Sequence, residues 1–175
     1  MNRTSLSSQI AIAVAGLFAA HGASAADMEL GIQIPKLNVA EYHRPYVAIW
    51  VEGADGKTAA DLAVWYQNED TKEGHGTKWL PDLRQWWRKS GRTLNLPVDG
   101  VTGPTRPAGQ HQLKVDAKRL AALKPGQYAL VVEAVREVGG RELLKIPFDW
   151  PAKAPQAGKA QGSSELGTVT LNIKP

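Results

Sequence analysis

The chain has 175 residues, a formal net charge of +4 and no cysteine. That length suits a single domain behind a processed N-terminus. The lack of cysteine excludes disulfides, thiolate zinc sites, iron–sulfur clusters and thiol chemistry.

Residues 1–25 have the organisation of an export signal. Arg3 supplies a short basic start, Ile10 to Ala20 is uninterrupted apolar sequence, and Ala23-Ser24-Ala25 fits the small-x-small cleavage rule. The apolar stretch is shorter than the roughly 20 residues a spanning helix needs. Cleavage is expected after Ala25, with Ala26 as the second choice, and 26–175 is expected to be one domain, not membrane-embedded, in a bacterial periplasm. Lys and Arg are dispersed among acids, which argues against nucleic-acid binding and favours an anionic small ligand or an acidic partner.

In chain order, Met28, Leu30, Ile32 and Ile34 alternate as in a strand that ends at Pro35. Tyr46 to Glu52 is a second strand with Val47, Ile49 and Val51 on one face. Ala54-Asp55-Gly56-Lys57 turns it into a third over Asp61 to Gln67. Asn68 to Gly76 reads as a polar loop. Trp79, Leu83, Trp86 and Trp87 recur at helical spacing, so 79–89 is the helix candidate, with Pro81 in its first turn and Gly91 at its stop. Thr93 to Val98 is a short strand or an extended link, Asp99 to Gly109 is a Gly/Pro/Thr-rich loop, Gln110 to Val115 is extended again, and Lys118 to Leu123 contains a helical turn. Gln127 to Val138 and Arg141 to Phe148 form a hairpin about Gly139-Gly140. Residues 152–163 read as a flexible loop, and Leu166 to Ile173 as the last strand. Short strands at regular turn spacing, with one short helix and no βαβ alternation, predict a mostly β, antiparallel, immunoglobulin-like sandwich.

Two segments carry candidate chemistry. By composition, the loop Asp99-Gly100-Val101-Thr102-Gly103-Pro104-Thr105 reads as a surface turn. Its spacing also resembles the segment modified by bacterial FAD:protein FMN transferases, which work outside the cytoplasm and esterify FMN to the last Thr or Ser hydroxyl. That resemblance implies Thr105 as the FMN attachment site. Asp99, Gly100, Thr102 and Gly103 match the other positions, and Pro104 stands where the pattern has Ala. The second segment sets Trp79, Trp86 and Trp87 beside Arg84 and Arg88. It fits either core packing or an apolar platform for a planar ligand with guanidinium groups for a phosphate. With Arg106, these are the candidate neighbours of a flavin. Adjacent Trp86 and Trp87 cannot both face one core.

The histidines of the mature chain, His43, His75 and His111, lie in separate segments without ligand spacing, and no metal residue is assigned. Glu133 and Glu137 fall on one face of their strand and Arg136 on the other. A solvated face would give only weak ion pairs to Arg141 or Glu142, whereas inward charges would mark a buried polar network. No nucleophile elbow, zinc-helix or phosphate-loop motif is present, and no catalytic residue is assigned.

Taken together, Arg44 to Glu52, Lys78 to Arg88, the Thr/Gly loop through Gly109 and Gly126 to Glu142 resemble the periplasmic family designated domain of unknown function 2271. The resemblance implies company with PepSY-type membrane proteins and a role in iron assimilation or envelope redox chemistry. Two functions follow as expectations. One is a carrier of covalent FMN for electron transfer. The other is a non-enzymatic accessory module for such a membrane protein.

Overall fold

In the computed structural model, which describes residues 27–70 and 74–175, the alternating segments form nine strands in two packed sheets. The export signal expected over 1–25, and its cleavage point, lie outside the described residues. The first sheet has the order β5-β1-β9-β8, made of β1 (Asp27–Ile34), β5 (Gly109–Val115), β8 (Gln156–Gln161) and β9 (Thr168–Lys174). The second has the order β4-β3-β2-β6-β7, made of β2 (Tyr46–Gly53), β3 (Thr58–Tyr66), β4 (Thr102–Pro104), β6 (Gly126–Val135) and β7 (Arg141–Trp150). The fold is the expected mostly β sandwich. The side chains that alternate inward, Met28, Leu30 and Ile32 from β1 and Val47, Ile49 and Val51 from β2, meet in one core between the sheets.

The second sheet is buried on its other face as well. Ala48, Trp50, Val64, Tyr66 and Val131 point away from the first sheet and are covered by Leu80, Leu83, Trp86 and Val101. That cover is the Trp-rich segment, and it is not the single helix expected over 79–89. A 3-10 helix, Gly76–Asp82, containing Pro81, gives way at Leu83 to α1 (Arg84–Lys89). The break has a physical cause. The Glu133 carboxylate accepts the amides of Gln85 and Trp86 at 3.1 and 2.9 Å, giving the chain a new helix start there.

Two further expectations are corrected. The loop over 152–163 contains β8, which pairs along its whole length with β9. Its small residues hide the strand pattern, and Gln156 pins it by bonding the Asp149 amide and carbonyl at 2.9 and 2.8 Å. The loop 99–109 contains β4, which runs parallel to β3, so the second sheet is not wholly antiparallel. Of the short strand or extended link expected over Thr93 to Val98, the link is present: it leaves a 3-10 turn, Gly91–Thr93, and packs Leu94, Leu96 and Val98 against the covered face. The helical turn near 118 is present as α2 (Ala117–Leu120), capped by the Asp116 side chain.

Glu142 fastens the β8–β9 connection. Its carboxylate accepts the amides of Ser163, Ser164 and Leu166 at 2.7, 3.0 and 2.8 Å. Burial pushes its pKa up, but these donors outweigh that and hold it below the usual glutamate value. With the folded pKa depressed, the stability Glu142 contributes is present above the ordinary glutamate pKa of about 4.3 and is lost as pH falls through the folded value. Urea titrations across the acid range should show the wild type losing its advantage over Glu142→Gln as pH drops. Parallel pH profiles for the two proteins would contradict this assignment.

Candidate functional site

At one end of the second sheet the register sets Pro104 beside Tyr66, Tyr46 beside Val135, and Val135 beside Arg141. The rings of Tyr66 and Tyr46 meet edge to face at 6.2 Å, so one row crosses all five strands. A cleft of about 880 Å³ lies along this row, within the 300–1,000 Å³ range of small-molecule sites. Its walls come from the segment Tyr42–Tyr46, the 3-10 helix with Trp79 and Asp82, the start of α1 at Arg84, the turn 136–141, and Thr105.

Each wall is anchored. Gly76 crosses the end of β3 so closely that a Cβ there would lie 1.9 Å from the Gln67 carbonyl oxygen, so only glycine fits. The Tyr46 hydroxyl donates to the Gly76 carbonyl at 3.1 Å. Burial raises the Tyr46 pKa above its usual value, keeping this donor protonated at neutral pH. Glu133, fully buried on the outer face of β6, holds α1 through the two amides above and accepts from Arg141 Nη1 at 2.7 Å. One carboxylate therefore ties the helical wall to the opposite wall.

The turn after β6 is built around Arg136. Its guanidinium is 7% exposed and is held by Glu165, with Nε to Oε2 at 2.9 Å and Nη2 to Oε1 at 3.2 Å. Gly140 donates its amide to the same carboxylate at 2.7 Å. Arg136 Nη1 has no hydrogen-bond partner. A Cβ on Gly139 would fall 2.5 Å from Arg136 Cζ. Val138, at the tip, has φ +53°, a strained conformation for a β-branched residue. The exposed large apolar side chains among the described residues are Val39, Tyr42, Trp79 and Val138, and the last three line this cleft.

The residues singled out in the sequence separate into two groups. Thr105, Trp79 and Arg84 come together on the cleft wall. Thr105 is half-buried, and its amide donates to the Tyr66 carbonyl at 3.2 Å. The others lie off the cleft wall. Trp86 is sealed in the core with its indole N–H on Asp61 at 2.8 Å, which removes it from any ligand platform. Trp87 packs half-buried against the same core, and exposed Arg88 bonds the Arg84 carbonyl. Arg106 stacks over the Trp65 ring at 5.4 Å, and Gly103 packs against that ring. The Thr102 hydroxyl accepts the Val98 amide at 2.9 Å. Asp99 and Gly100 form an exposed turn whose Asp99 carbonyl accepts from Arg119.

His43 sits in the cleft wall with Glu41 on Nε2 at 3.1 Å and Glu137 on Nδ1 at 3.5 Å. The two carboxylates occupy opposite ring nitrogens and do not converge on one point. His75 pairs with Asp70, and His111 bonds the Pro107 carbonyl. Among the described residues, no group of three or more His, Asp or Glu is arranged to hold a metal ion, and no helix is long and apolar enough to cross a membrane.

Sequence reading missed Tyr42, Tyr46, Arg136 and Arg141 as wall residues. Their signal was faint: a tyrosine opening a strand, and charged residues flanking a glycine turn.

A family model described as predicted periplasmic protein, domain of unknown function 2271, matches residues 27–168. No curated protein and no solved structure matches the chain.

Proposed function

The chain belongs to the family of predicted periplasmic proteins designated domain of unknown function 2271, and on that premise we propose that it is a covalent FMN carrier whose flavin is esterified to Thr105 and lodges in the cleft. The observation that carries this reading is the position of Thr105. The one residue that the transferase-like motif marks as acceptor lies on the wall of the cleft and not inside the sandwich.

The surroundings suit both the attachment and the cargo. β4 is an edge strand of three residues, so the acceptor lies at the margin of the sheet and not between two paired strands. Pro104 is tolerated because an edge strand need not donate every amide. The cleft offers the rings of Tyr42, Tyr46 and Trp79 for a planar group and the guanidinium groups of Arg44, Arg84 and Arg141 for polar edges. Attachment balances simply. The Thr105 hydroxyl oxygen attacks the FMN-side phosphorus of FAD, a P–O bond forms, the pyrophosphate P–O bond breaks, AMP leaves, and the hydroxyl proton passes to the transferase or to water. Once bound, FMN supplies one- or two-electron transfer. The chain's own residues tether it, shield it from solvent and set its electrostatic surroundings.

The test is co-expression in the periplasm with an FMN transferase, followed by a denaturing gel under ultraviolet light. The wild type should fluoresce, Thr105→Ala should be dark, and Thr102→Ala should keep some label. A label lost in Thr102→Ala and retained in Thr105→Ala would move the acceptor.

A second reading rests on the exposed Tyr42, Trp79 and Val138 around the cleft. In it the chain is a non-redox accessory module whose apolar rim docks a PepSY-type membrane protein, in the service of iron assimilation. A dark wild-type band of unmodified mass favours that reading.

A further inference from the structure

Positive charge is unevenly placed in this fold. Residues 78–92 hold Lys78, Arg84, Arg88, Lys89 and Arg92 against the single acid Asp82. Their net charge of +4 equals that of the whole chain, so the rest of the sequence balances. These residues belong to the cover of the second sheet, made by the 3-10 helix Gly76–Asp82, α1 and the 3-10 turn Gly91–Thr93. The cover sorts its charges by side. Underneath, carboxylates take up its donors. Glu133 accepts the Gln85 and Trp86 amides, Asp61 accepts Trp86 Nε1 and the Ser90 hydroxyl, both at 2.8 Å, and Glu52 pairs with Lys89 at 2.9 Å.

On the solvent side the cations are left over. Trp86 faces the sheet, and Arg84 and Arg88 stand two positions either side of it. That puts both on the opposite face of α1, one turn apart. Arg88 leans back along the helix, its Nε donating to the Arg84 carbonyl at 3.2 Å. Arg92 is exposed in the turn that follows. None of the ion pairs among the described residues includes Arg84, Arg88 or Arg92. Indoles sit in the same layer. Trp79 is 42% exposed, with Lys78 Nζ 4.6 Å from its ring centre, and Trp87 is half-buried next to Arg88.

We propose that this cover is a docking surface for an anionic phospholipid membrane. Guanidinium groups and indoles together match a headgroup layer. The guanidinium pairs with lipid phosphate, and the indole lies where apolar and wet regions meet. An acidic protein would be drawn by the same cations. Arg88 and Arg92, however, lie outside the cleft, away from the groove that could select a peptide by shape. Mobile headgroups can meet each guanidinium without such a groove. A chain of a predicted periplasmic family has phospholipid surfaces within reach. Trp79 and Arg84 belong both to the cover and to the cleft wall, so docking sets that wall beside the bilayer. This inference stands whether or not Thr105 carries a flavin.

The test is co-sedimentation of the full exported chain with vesicles. One set has equal parts of phosphatidylglycerol and phosphatidylcholine, the other phosphatidylcholine alone. The wild type should bind the first set and not the second, and binding should fall as salt shortens the screening length. Each arginine near an anionic surface is worth about fivefold in affinity, so Arg88→Gln with Arg92→Gln should weaken binding by about 25-fold. Arg88→Lys with Arg92→Lys, which keeps both charges, should bind nearly as wild type. Lys114→Gln with Lys159→Gln removes the same charge from the other sheet and should leave binding unchanged. Equal losses in the glutamine variants of the two sheets would overturn the cover as the docking surface. A wild type that binds neither vesicle set, or both alike, would overturn the membrane as its partner. Retention of a non-binding wild type on immobilised polyglutamate, through Arg88 and Arg92, would assign the surface to an acidic protein instead.

Discussion

Glu133→Ala should lower the stability of the protein by about 2–5 kcal/mol in urea unfolding, the cost of leaving two amides at a buried site without their acceptor. Glu133 is fully buried. Its carboxylate accepts the Gln85 and Trp86 amides and the Arg141 guanidinium. Truncation leaves two amides at the start of α1 without an acceptor, and each unsatisfied buried donor costs about 1–3 kcal/mol. It also releases Arg141. The loss should be local in its first effect, because α1 carries Trp86 and Trp87 over the outer face of the second sheet. Tryptophan fluorescence should therefore change before the β signal in circular dichroism. Glu133→Gln, which keeps an acceptor oxygen, should lose less. A loss below about 1 kcal/mol for Glu133→Ala, typical of an exposed pair, would show that the carboxylate does not hold the helix.

The second large effect concerns Arg136 and Glu165. Glu165→Ala should cost about 3–5 kcal/mol, because it strands a guanidinium that is 7% exposed. The double variant Arg136→Met with Glu165→Leu should recover most of that loss, since two apolar side chains need no mutual neutralisation. The pair closes the turn whose Gly139 and Gly140 line the cleft. The double variant should thus stay folded while losing the fixed cation. A double variant no more stable than Glu165→Ala would mean that the pair itself, and not the avoidance of an unpaired charge, holds the turn.

Most of the sandwich was legible because its inward faces alternate. Met28 to Ile34 and Val47, Ile49 and Val51 pack as their pattern implies. The hairpin about Gly139-Gly140 was legible from its glycines. β8 was not, because Gly158 and Ala160, on its inward side, are too small to announce a covered face, and the strand depends on β9 for its ladder. β4 was not, because three residues including glycine and proline form a strand only against an existing edge. The site was legible in part. Thr105, Trp79 and Arg84 were chosen for chemistry, and they share a wall. Trp86 was misassigned because helical spacing does not say which of two adjacent indoles faces the core. The charge network was invisible in detail, because Arg136 and Glu165 lie 29 positions apart. Glu133, in turn, points to a face that is solvated only if no helix covers it.

Whether Thr105 at the cleft is the FMN acceptor is decided by intact-mass measurement with peptide mapping. After co-expression with an FMN transferase, each chain should carry one added FMN less one water, on the peptide containing Thr105. An unmodified mass in the presence of an active transferase, or the same addition mapped to another residue, would contradict it.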